Sequence, residues 1–510
     1  MIKMKENKGI TLVALIITII ILLILAGVTL SLVIGENGLI AKSKQSAEKY
    51  KDKAKEEQWQ LEDFEAGMEE IGLDELQDEE ENQELKPMKL ILNIAEDNKE
   101  IYFPIYPYSD DYKYDCTVIW GDGTTQQVTN ENAQNTKHTY GNTGEYTLVI
   151  EGTYEYLYAN SGIETTLREV EQWGSTDLKK ISLGNCKNLK EIAEPSKNSF
   201  AKVTNFENAF VGCINLTNIP EKLFANCPNA TNFWRVFSEC SSLKEIPKNL
   251  FVNCSNATDF GGTFEGCSSL RSIPERLFVN CSNATSFGNA FEGCSSLTNI
   301  PERLFANCSN ATNFENAFEG CVNLVNIPEN LFKDATNAKH FGGIFYGCDK
   351  ITGIPESLFV DCENMETIYS AFSRCKSLKS IPENLFSSCK KIKSFQYIFE
   401  GCSSLESIPD KLFANCPNVV DFSGVFLKCS NLSSVPENLF ANCLSVEEFG
   451  YAFAYCTNLT GKSIQLWNEE NRQAKGITKT SGGEACYVGC EKLDDYVDIP
   501  DYWKIDGGPR

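Results

Sequence analysis

Residues 294–321 read CSSLTNIPERLFANCSNATNFENAFEGC, and this pattern recurs through most of the chain. Cysteine returns at a constant interval from Cys186, through Cys213 and Cys240, to Cys456 without a single insertion. A second series keeps a constant offset from the first and comprises Cys227, Cys254, Cys281, Cys308, Cys362, Cys389, Cys416 and Cys443. Such self-similarity is typical of a solenoid, in which each unit buries its apolar side chains against its neighbours. The sequence therefore predicts a solenoid of ten 27-residue repeats over residues 175–460, built from short strands and single helical turns.

Each repeat also places a pair of variable residues between two apolar ones. Leu297 and Ile300 occupy positions that are apolar in every repeat, whereas the two residues between them change in charge and size. These pairs must face outward, and a surface of changing polar side chains suits ligand binding. We therefore expect a candidate ligand face formed by Thr217, Asn218, Lys244, Glu245, Arg271, Ser272, Thr298, Asn299, Val325, Asn326, Lys379 and Ser380.

The 22 cysteines are predicted to be free and buried. Adjacent turns of a solenoid stand ~4.8 Å apart, a separation that a disulfide could span. However, equivalent side chains of stacked turns point the same way, and a buried free cysteine packs as a small apolar residue. Ala335 takes one place in the second series without any change of phase, although pairing of the other members would allow this too. We favour free ladders over disulfides and over metal sites.

Composition argues against several classes of function. The chain of 510 residues has a formal charge of −24, whereas a nucleic-acid partner requires a basic surface. It has only two histidines, His138 and His340, too few and too far apart for an HExxH or Cys₂His₂ zinc site. No nucleophile–base pair or phosphate loop is evident, so we predict no catalytic residue, no metal and no cofactor. Asp122 and His138 come nearest to a catalytic pair, and we interpret them as a turn residue and a packed residue.

The N-terminal segment is predicted to anchor the chain in a membrane. Residues 1–9 carry three lysines, and the whole of the stretch 10–34 is uncharged, which is long enough to span a bilayer as a helix. From residue 35 to residue 84, a mixed Lys/Glu pattern predicts a helical stalk, and it ends in a strongly acidic linker. Single-pass attachment follows from this interpretation, whereas the orientation, with the bulk of the chain outside the cell, is implied only by a family resemblance of the N-terminus.

The junction Lys8-Gly9-Ile10-Thr11-Leu12 resembles the processing motif of type IV prepilins. The resemblance implies that residues 1–9 are a leader, that a prepilin peptidase cleaves after Gly9, and that Ile10 becomes the N-methylated terminus. Mature pilins usually carry Glu at their fifth residue, and this chain has Ala14 there. That departure puts incorporation into a pilus in doubt.

Between stalk and solenoid, residues 85–174 show the alternation and turn signals of a β-sandwich. The run Trp120-Gly121-Asp122-Gly123, followed by His138-Thr139-Tyr140, resembles the PKD-type immunoglobulin-like domain of cell-surface proteins. Asp122 is then expected to accept backbone hydrogen bonds in a tight turn.

The repeats themselves, with Phe318-Glu-Gly-Cys321-Val-Asn-Leu324-Val-Asn-Ile327 as an example, resemble the BspA-type leucine-rich repeats and the related mycoplasma-type repeats of bacterial surface proteins. The resemblance implies an extracellular protein that binds protein or glycan ligands. Residues 461–510 repeat the ending of a unit at Cys490, out of phase with the array, and are expected to form a capping repeat. The Asn-Ala-Thr triplets at Asn229, Asn256, Asn283 and Asn310 match the glycosylation sequon but follow from the repeat itself.

Three functions compete at this point. We favour a membrane-anchored surface protein whose solenoid mediates binding or adhesion to extracellular ligands. The second hypothesis is a minor pilin-like (pseudopilin) subunit that displays the array on a fibre of pilin-like subunits. The third, an enzyme, has no sequence support.

Overall fold

The computed structural model describes residues 86–105, 112–159, 162–174, 177–196, 199–474 and 482–505. The chain divides into two units, Met1–Glu84 and Leu85–Arg510, and all described residues belong to the second. The predicted leader, membrane helix, stalk and linker therefore lie outside the described residues. Within the part of the chain that is described, no helix is both long and apolar enough to cross a membrane.

Ten strands and a short helix open the described part. The strands are β1 (Met88–Ile94), β2 (Lys99–Tyr102), β3 (Tyr114–Ile119), β4 (Thr125–Thr129), β5 (Lys137–Tyr140), β6 (Gly144–Tyr154), β7 (Tyr156–Tyr158), β8 (Leu167–Gln172), β9 (Lys180–Ser182) and β10 (Glu191–Ile192). A 3₁₀ helix spans Ala133–Asn135, and α1 spans Ile163–Thr166.

Six of these strands form one sheet in the order β10-β8-β1-β6-β3-β4, and β2 pairs separately with β5. β1 lies antiparallel between β6 and β8, with Leu90 opposite both Leu148 and Val170. Alternate apolar side chains, such as Leu90 and Leu92, are fully buried, as the period of a strand requires. The same core contains the side chains of Trp120 and Tyr140.

The sheet passes into the solenoid without a break in hydrogen bonding. β7 pairs in parallel with β9, and β8 pairs in parallel with β10, so strands cross the boundary predicted between residues 174 and 175. Trp173 contacts Phe200 with ring centroids 4.8 Å apart, and its Nε1 donates to the carbonyl of Ala193. The first turns of the solenoid are therefore joined to the N-terminal strands by backbone hydrogen bonds and stack directly on them.

Successive turns of the solenoid are joined by parallel bridges between equivalent residues of adjacent repeats, such as Asn205 and Asn232. Additional backbone N–H groups donate to carbonyls of the following turn, and this set of bonds recurs along the array. In one repeat the donors are Phe206, Asn208, Phe210 and Gly212. Among the described residues between β10 and Glu469, the expected short strands are reduced to single bridges, and the expected helical turns are tight turns in which an N–H bonds to the carbonyl three residues before.

The reason is a pair of left-handed residues in each repeat. In the repeat that begins at Cys294, Asn316 has φ 55° and Gly320 has φ 69°, and the equivalent residues of neighbouring repeats are also left-handed. Because these two bends follow directly after the bridge, no extended stretch is long enough to become a strand.

Phenylalanine rings and cysteine thiols fill the core. Phe264, Phe291 and Phe318 stack in one column, with centroids 5.6 and 5.5 Å apart and interplanar angles of 13° and 4°. Two further columns run beside it, and rings of neighbouring columns meet at steep angles, as Phe278 and Phe287 do at 60°. Offset stacked and edge contacts of this kind add to the free energy of burial.

The C-terminal end of the solenoid closes with α2 (Glu469–Ala474), a 3₁₀ helix at Tyr496–Asp498 and α3 (Asp501–Lys504). The last bridge joins Glu448 to Gly482, a longer step along the chain than between the other turns, because α2 and its neighbours are inserted within that turn. Trp503 lies over this end and is 8% exposed.

Candidate ligand-binding surfaces of the solenoid

The twelve residues of the predicted ligand face, called here the Leu–Ile face, are all exposed on one side of the solenoid. Their orientation follows from the core: Leu243 and Ile246 are 0% and 6% exposed, so the pair between them points outward. Backbone bonds connect the pairs of adjacent turns, for example from Val325 N–H to the Thr298 carbonyl at 3.2 Å. The face is therefore a regular array, although its role in binding stays a prediction.

Charged side chains on the Leu–Ile face are available to a ligand. Lys244, Glu245, Arg271 and Lys379 have no ion-pair partner among the residues described. Elsewhere on the solenoid, lysines pair with acids of neighbouring turns, as Lys376 does with Asp349 at 2.9 Å. The face thus carries unpaired charges of both signs on some turns and neutral pairs on others.

A second surface, which the sequence analysis did not identify, is a groove of about 500 Å³ that crosses four turns. We call it the Asn–Thr groove. It is lined by Asn256, Thr258, Asn283, Thr285, Asn310, Thr312, Asn337 and Lys339. Most of these residues belong to the Asn-Ala-Thr triplets, so the sequence does carry a signal for the groove, although the triplets are also explained by the repeat itself.

Side chains of the Asn–Thr groove are fixed by bonds between turns. Asn283 Nδ2 donates to the carbonyl of Ser255 at 3.0 Å, and Thr285 Oγ1 donates to the carbonyl of Thr258 at 3.0 Å. The same two bonds recur in the next turn, at Asn310 and Thr312. These bonds use one of the two N–H groups of each asparagine and the hydroxyl hydrogen of each threonine, so the Asn Oδ1 atoms and the Thr oxygen lone pairs remain as acceptors.

A third surface combines exposed aromatic rings with carboxylates. Trp234 is 38% exposed, and the guanidinium of Arg235 lies 5.5 Å from the centroid of its ring. Arg235 also binds Glu265 at 3.1 Å. Burial raises the pKa of Glu265. The positive charge of Arg235 lowers this pKa, whereas the negative charge of Glu292 raises it further. The carboxylates of successive turns therefore repel one another along this side.

The cysteines have no accessible chemistry. All 22 are free and buried in the structure, where both predicted ladders lie in the core, and their redox state stays a prediction. Burial raises the pKa of the Cys321 thiol to about 12, although a hydrogen bond along the ladder, involving Cys294, lowers it slightly. A thiol must ionise to act as a nucleophile or a metal ligand, so these residues are structural.

Asp122 and His138 do come together, at the edge of the six-stranded sheet. His138 Nε2 lies 2.7 Å from Asp122 Oδ2, and the imidazole stacks on Trp120 with centroids 5.0 Å apart. The hydroxyl of Thr124 donates to Asp122 at 2.6 Å rather than approaching the imidazole. In a catalytic triad the hydroxyl contacts the histidine, so this arrangement is that of a hydrogen-bonded turn.

No metal centre is evident in the described part of the chain, where no group of three or more His, Cys, Asp or Glu residues is arranged to hold an ion. His340 is half-buried, and its Nδ1 lies 3.2 Å from the hydroxyl oxygen of Thr367.

Comparisons with known proteins support the solenoid. Six copies of the BspA type leucine rich repeat region match residues 163–312, 237–369 and 298–447, which together cover more than half of the chain. No curated protein matches the sequence.

Two solved structures are similar at low identity. A leucine rich cell surface protein from Faecalibacterium prausnitzii is 16% identical, with a TM-score of 0.30, and the match covers 70% of this chain and 94% of that one. The Toll–Spatzle complex of Drosophila also matches at 16% identity, with a TM-score of 0.33 over 52% of this chain, and the chain spans 37% of that structure's chain.

Proposed function

The chain belongs to the family of proteins with a BspA type leucine rich repeat region, and on that premise we propose that it is a cell-surface protein that binds an extracellular ligand through its solenoid. The Leu–Ile face is the proposed contact surface. The ligand is a protein or a glycan whose charges complement the Lys, Arg and Glu side chains of that face.

The observation that carries the proposal is the contrast between core and surface. Core columns keep phenylalanine, leucine and cysteine in turn after turn, whereas the Leu–Ile face changes its side chains at every turn. A purely structural array has no need of such variation on one face, and repeat proteins commonly bind partners through surfaces of this kind. The unpaired charges on the face also suit electrostatic recognition.

The anchoring and spacing elements form the finer part of the proposal. Residues 10–34 act as a single transmembrane helix after cleavage between Gly9 and Ile10, and a PKD-like β-sandwich at residues 85–174 holds ten repeats away from the membrane. Mass spectrometry of the N-terminal peptide from native membranes tests this: the proposal predicts N-methylated Ile10. Recovery of the processed chain in sheared filaments would instead favour the pilin-like hypothesis.

A binding experiment tests the contact surface. The full-length chain is screened against arrays of matrix proteins and glycans, and the hits are measured with the variant Lys244→Glu/Arg271→Glu/Lys379→Glu. We expect at least a tenfold loss of affinity, because each reversed charge removes about 1 kcal/mol or more of attraction. The matched control is Lys222→Glu/Lys248→Glu/Lys390→Glu, which changes the net charge equally, replaces exposed lysines that have no ion pair in the described structure, and lies off the Leu–Ile face. Equal loss in both variants would contradict the proposal.

A further inference from the structure

We propose that the Asn–Thr groove binds a linear, neutral glycan that lies along the solenoid axis. The inference rests on the proposed role in extracellular binding, but it places the ligand on a surface separate from the Leu–Ile face and names its chemical class. Three properties of the groove lead to it: its hydrogen-bonding groups, its charge and its repeat distance.

The hydrogen-bonding groups match hydroxyls. At each turn the groove presents the Oδ1 of an asparagine, and that residue's Nδ2 uses one of its two N–H groups in the inter-turn bond. Each threonine hydroxyl donates inward, as Thr312 does to the carbonyl of Thr285 at 3.2 Å, which leaves its oxygen as an acceptor. A sugar hydroxyl both donates and accepts, so it satisfies these groups, whereas an apolar ligand leaves them without partners.

The lining carries no free charge. Seven of its eight residues are Asn or Thr, and the eighth, Lys339, forms an ion pair with Glu366 at 3.1 Å. A basic peptide finds no carboxylate in the groove, and an anionic polymer finds no unpaired cation. Since charged ligands lose hydration when they bind without a counter-charge, the lining favours a neutral polyol over a polyelectrolyte.

The repeat distance favours a polymer. The Asn–Thr pair recurs at three successive turns of the groove, and turns of a solenoid lie ~4.8 Å apart. A chain of identical sugar units makes the same contact at each turn, and contacts that are linked covalently reinforce one another.

The inference is tested with defined oligosaccharides on the full-length chain. Isothermal titration uses cellohexaose, xylohexaose and mannohexaose as neutral probes, with polylysine and a polyuronate as charged ones. The groove variant is Thr258→Val/Thr285→Val, which keeps side-chain shape and removes two acceptors. The matched control is Thr231→Val/Thr460→Val, because both of these hydroxyls also donate to the preceding turn but neither lines the groove.

We expect at least one neutral hexasaccharide to bind, with affinity about tenfold or more weaker in the groove variant and within about twofold of the parent in the control, since each lost hydrogen bond is worth ~1 kcal/mol. Equal affinity of parent and groove variant overturns the inference. So does a parent chain that binds only the charged probes, or none at all. In those cases the proposed function still stands if another ligand binds the parent chain and loses affinity for the charge-reversal variant of the Leu–Ile face. Failure of the glycan inference is therefore distinguishable from failure of the proposed function.

Discussion

The thiol of Cys294 donates a hydrogen bond to the backbone carbonyl of Phe264, 3.2 Å away in the preceding turn. The same contact recurs along the first cysteine series, for example from Cys321 to Phe291, also at 3.2 Å. In the second series the equivalent distances are longer: the Cys281 Sγ lies 3.8 Å from the backbone carbonyl oxygen of Phe251. The two ladders are therefore not equivalent, and the only interior replacement by alanine, Ala335, falls in the weaker one.

Cys294→Ala is predicted to destabilise the solenoid more than Cys281→Ala. The first change removes a hydrogen bond and a buried sulfur, at a cost of about 2 kcal/mol, whereas the second mainly removes the sulfur, at about 1 kcal/mol. Urea unfolding of the two variants, followed by circular dichroism, checks the difference. Equal midpoints would show that the shorter contact carries no extra free energy.

Thiol titration gives the second prediction. At pH 8 the native chain is expected to react negligibly with a thiol reagent, because all its cysteines are buried and burial raises the pKa of, for example, Cys213 to about 12. In denaturant without reductant, every one of the 22 thiols should react. A smaller number in denaturant would mean that part of the ladder is oxidised in the native protein. Rapid reaction without denaturant would mean that the solenoid opens locally.

Asp122→Ala is predicted to destabilise the sheet at neutral pH. Burial is the largest influence on the pKa of Asp122 and would raise it, but the bonds from Thr124 and His138 together outweigh burial and hold the pKa below its ordinary value. A carboxyl whose pKa is lowered by folding stabilises the fold above the unfolded-state pKa, and this contribution is lost as pH falls through the folded-state pKa.

The expected cost of Asp122→Ala is about 1 kcal/mol at pH 7, since the carboxylate is partly exposed to water. The difference from the parent chain should shrink as pH falls below the ordinary pKa of an aspartate, ~4. Asp97→Ala is a suitable control, because Asp97 accepts one backbone bond, from Thr143, and has no histidine partner in the described structure. A difference that persists unchanged to low pH would contradict the assignment.

The sequence alone predicts the repeat length, the core columns and the outward direction of pairs such as Lys244 and Glu245. It does not predict the two left-handed bends, because the residues there include Tyr397, Arg374 and Lys428 as well as glycine. Hydrogen bonds to the adjacent turns hold those residues in a conformation that their own propensity disfavours. The Asn–Thr groove could not be predicted from the sequence for a similar reason. Its side chains are positioned by hydrogen bonds between turns, and no single repeat contains those bonds.

Deletion of one whole repeat tests the period itself. Removal of residues 267–293 joins Gly266 to Cys294, and it brings Phe318 to the position on Phe264 that Phe291 now occupies. Since stability in such arrays is roughly a sum over neighbours, we expect a folded chain with a smaller urea m-value and a cooperative transition. Removal of residues 267–280 joins Gly266 to Cys281 and places the two cysteine series out of phase. That variant should unfold in separate steps, and a single cooperative transition would contradict the period.

Two adjacent residues of the C-terminal cap, Trp503 and Tyr502, are predicted to contribute very differently to stability. Trp503 is 8% exposed and its carbonyl accepts the N–H of Tyr487 at 2.8 Å, whereas Tyr502 is 54% exposed. Tyr487 continues the phenylalanine column, stacked on Phe453 with centroids 5.8 Å apart. Trp503→Ala should therefore expose the end of the core at a cost of about 3 kcal/mol, and Tyr502→Ala should cost less than about 0.5 kcal/mol.

Because a solenoid opens from its ends, hydrogen exchange is the measurement that separates the two changes. In Trp503→Ala, the N–H groups of Phe453 and Tyr455, which donate to the last turn, should exchange faster, while that of Phe264 near the middle keeps its protection. In Tyr502→Ala all three should behave as in the parent chain. Faster exchange at Phe264 in either variant would mean that the array unfolds as one unit, and that Trp503 stabilises the whole solenoid rather than its last turn.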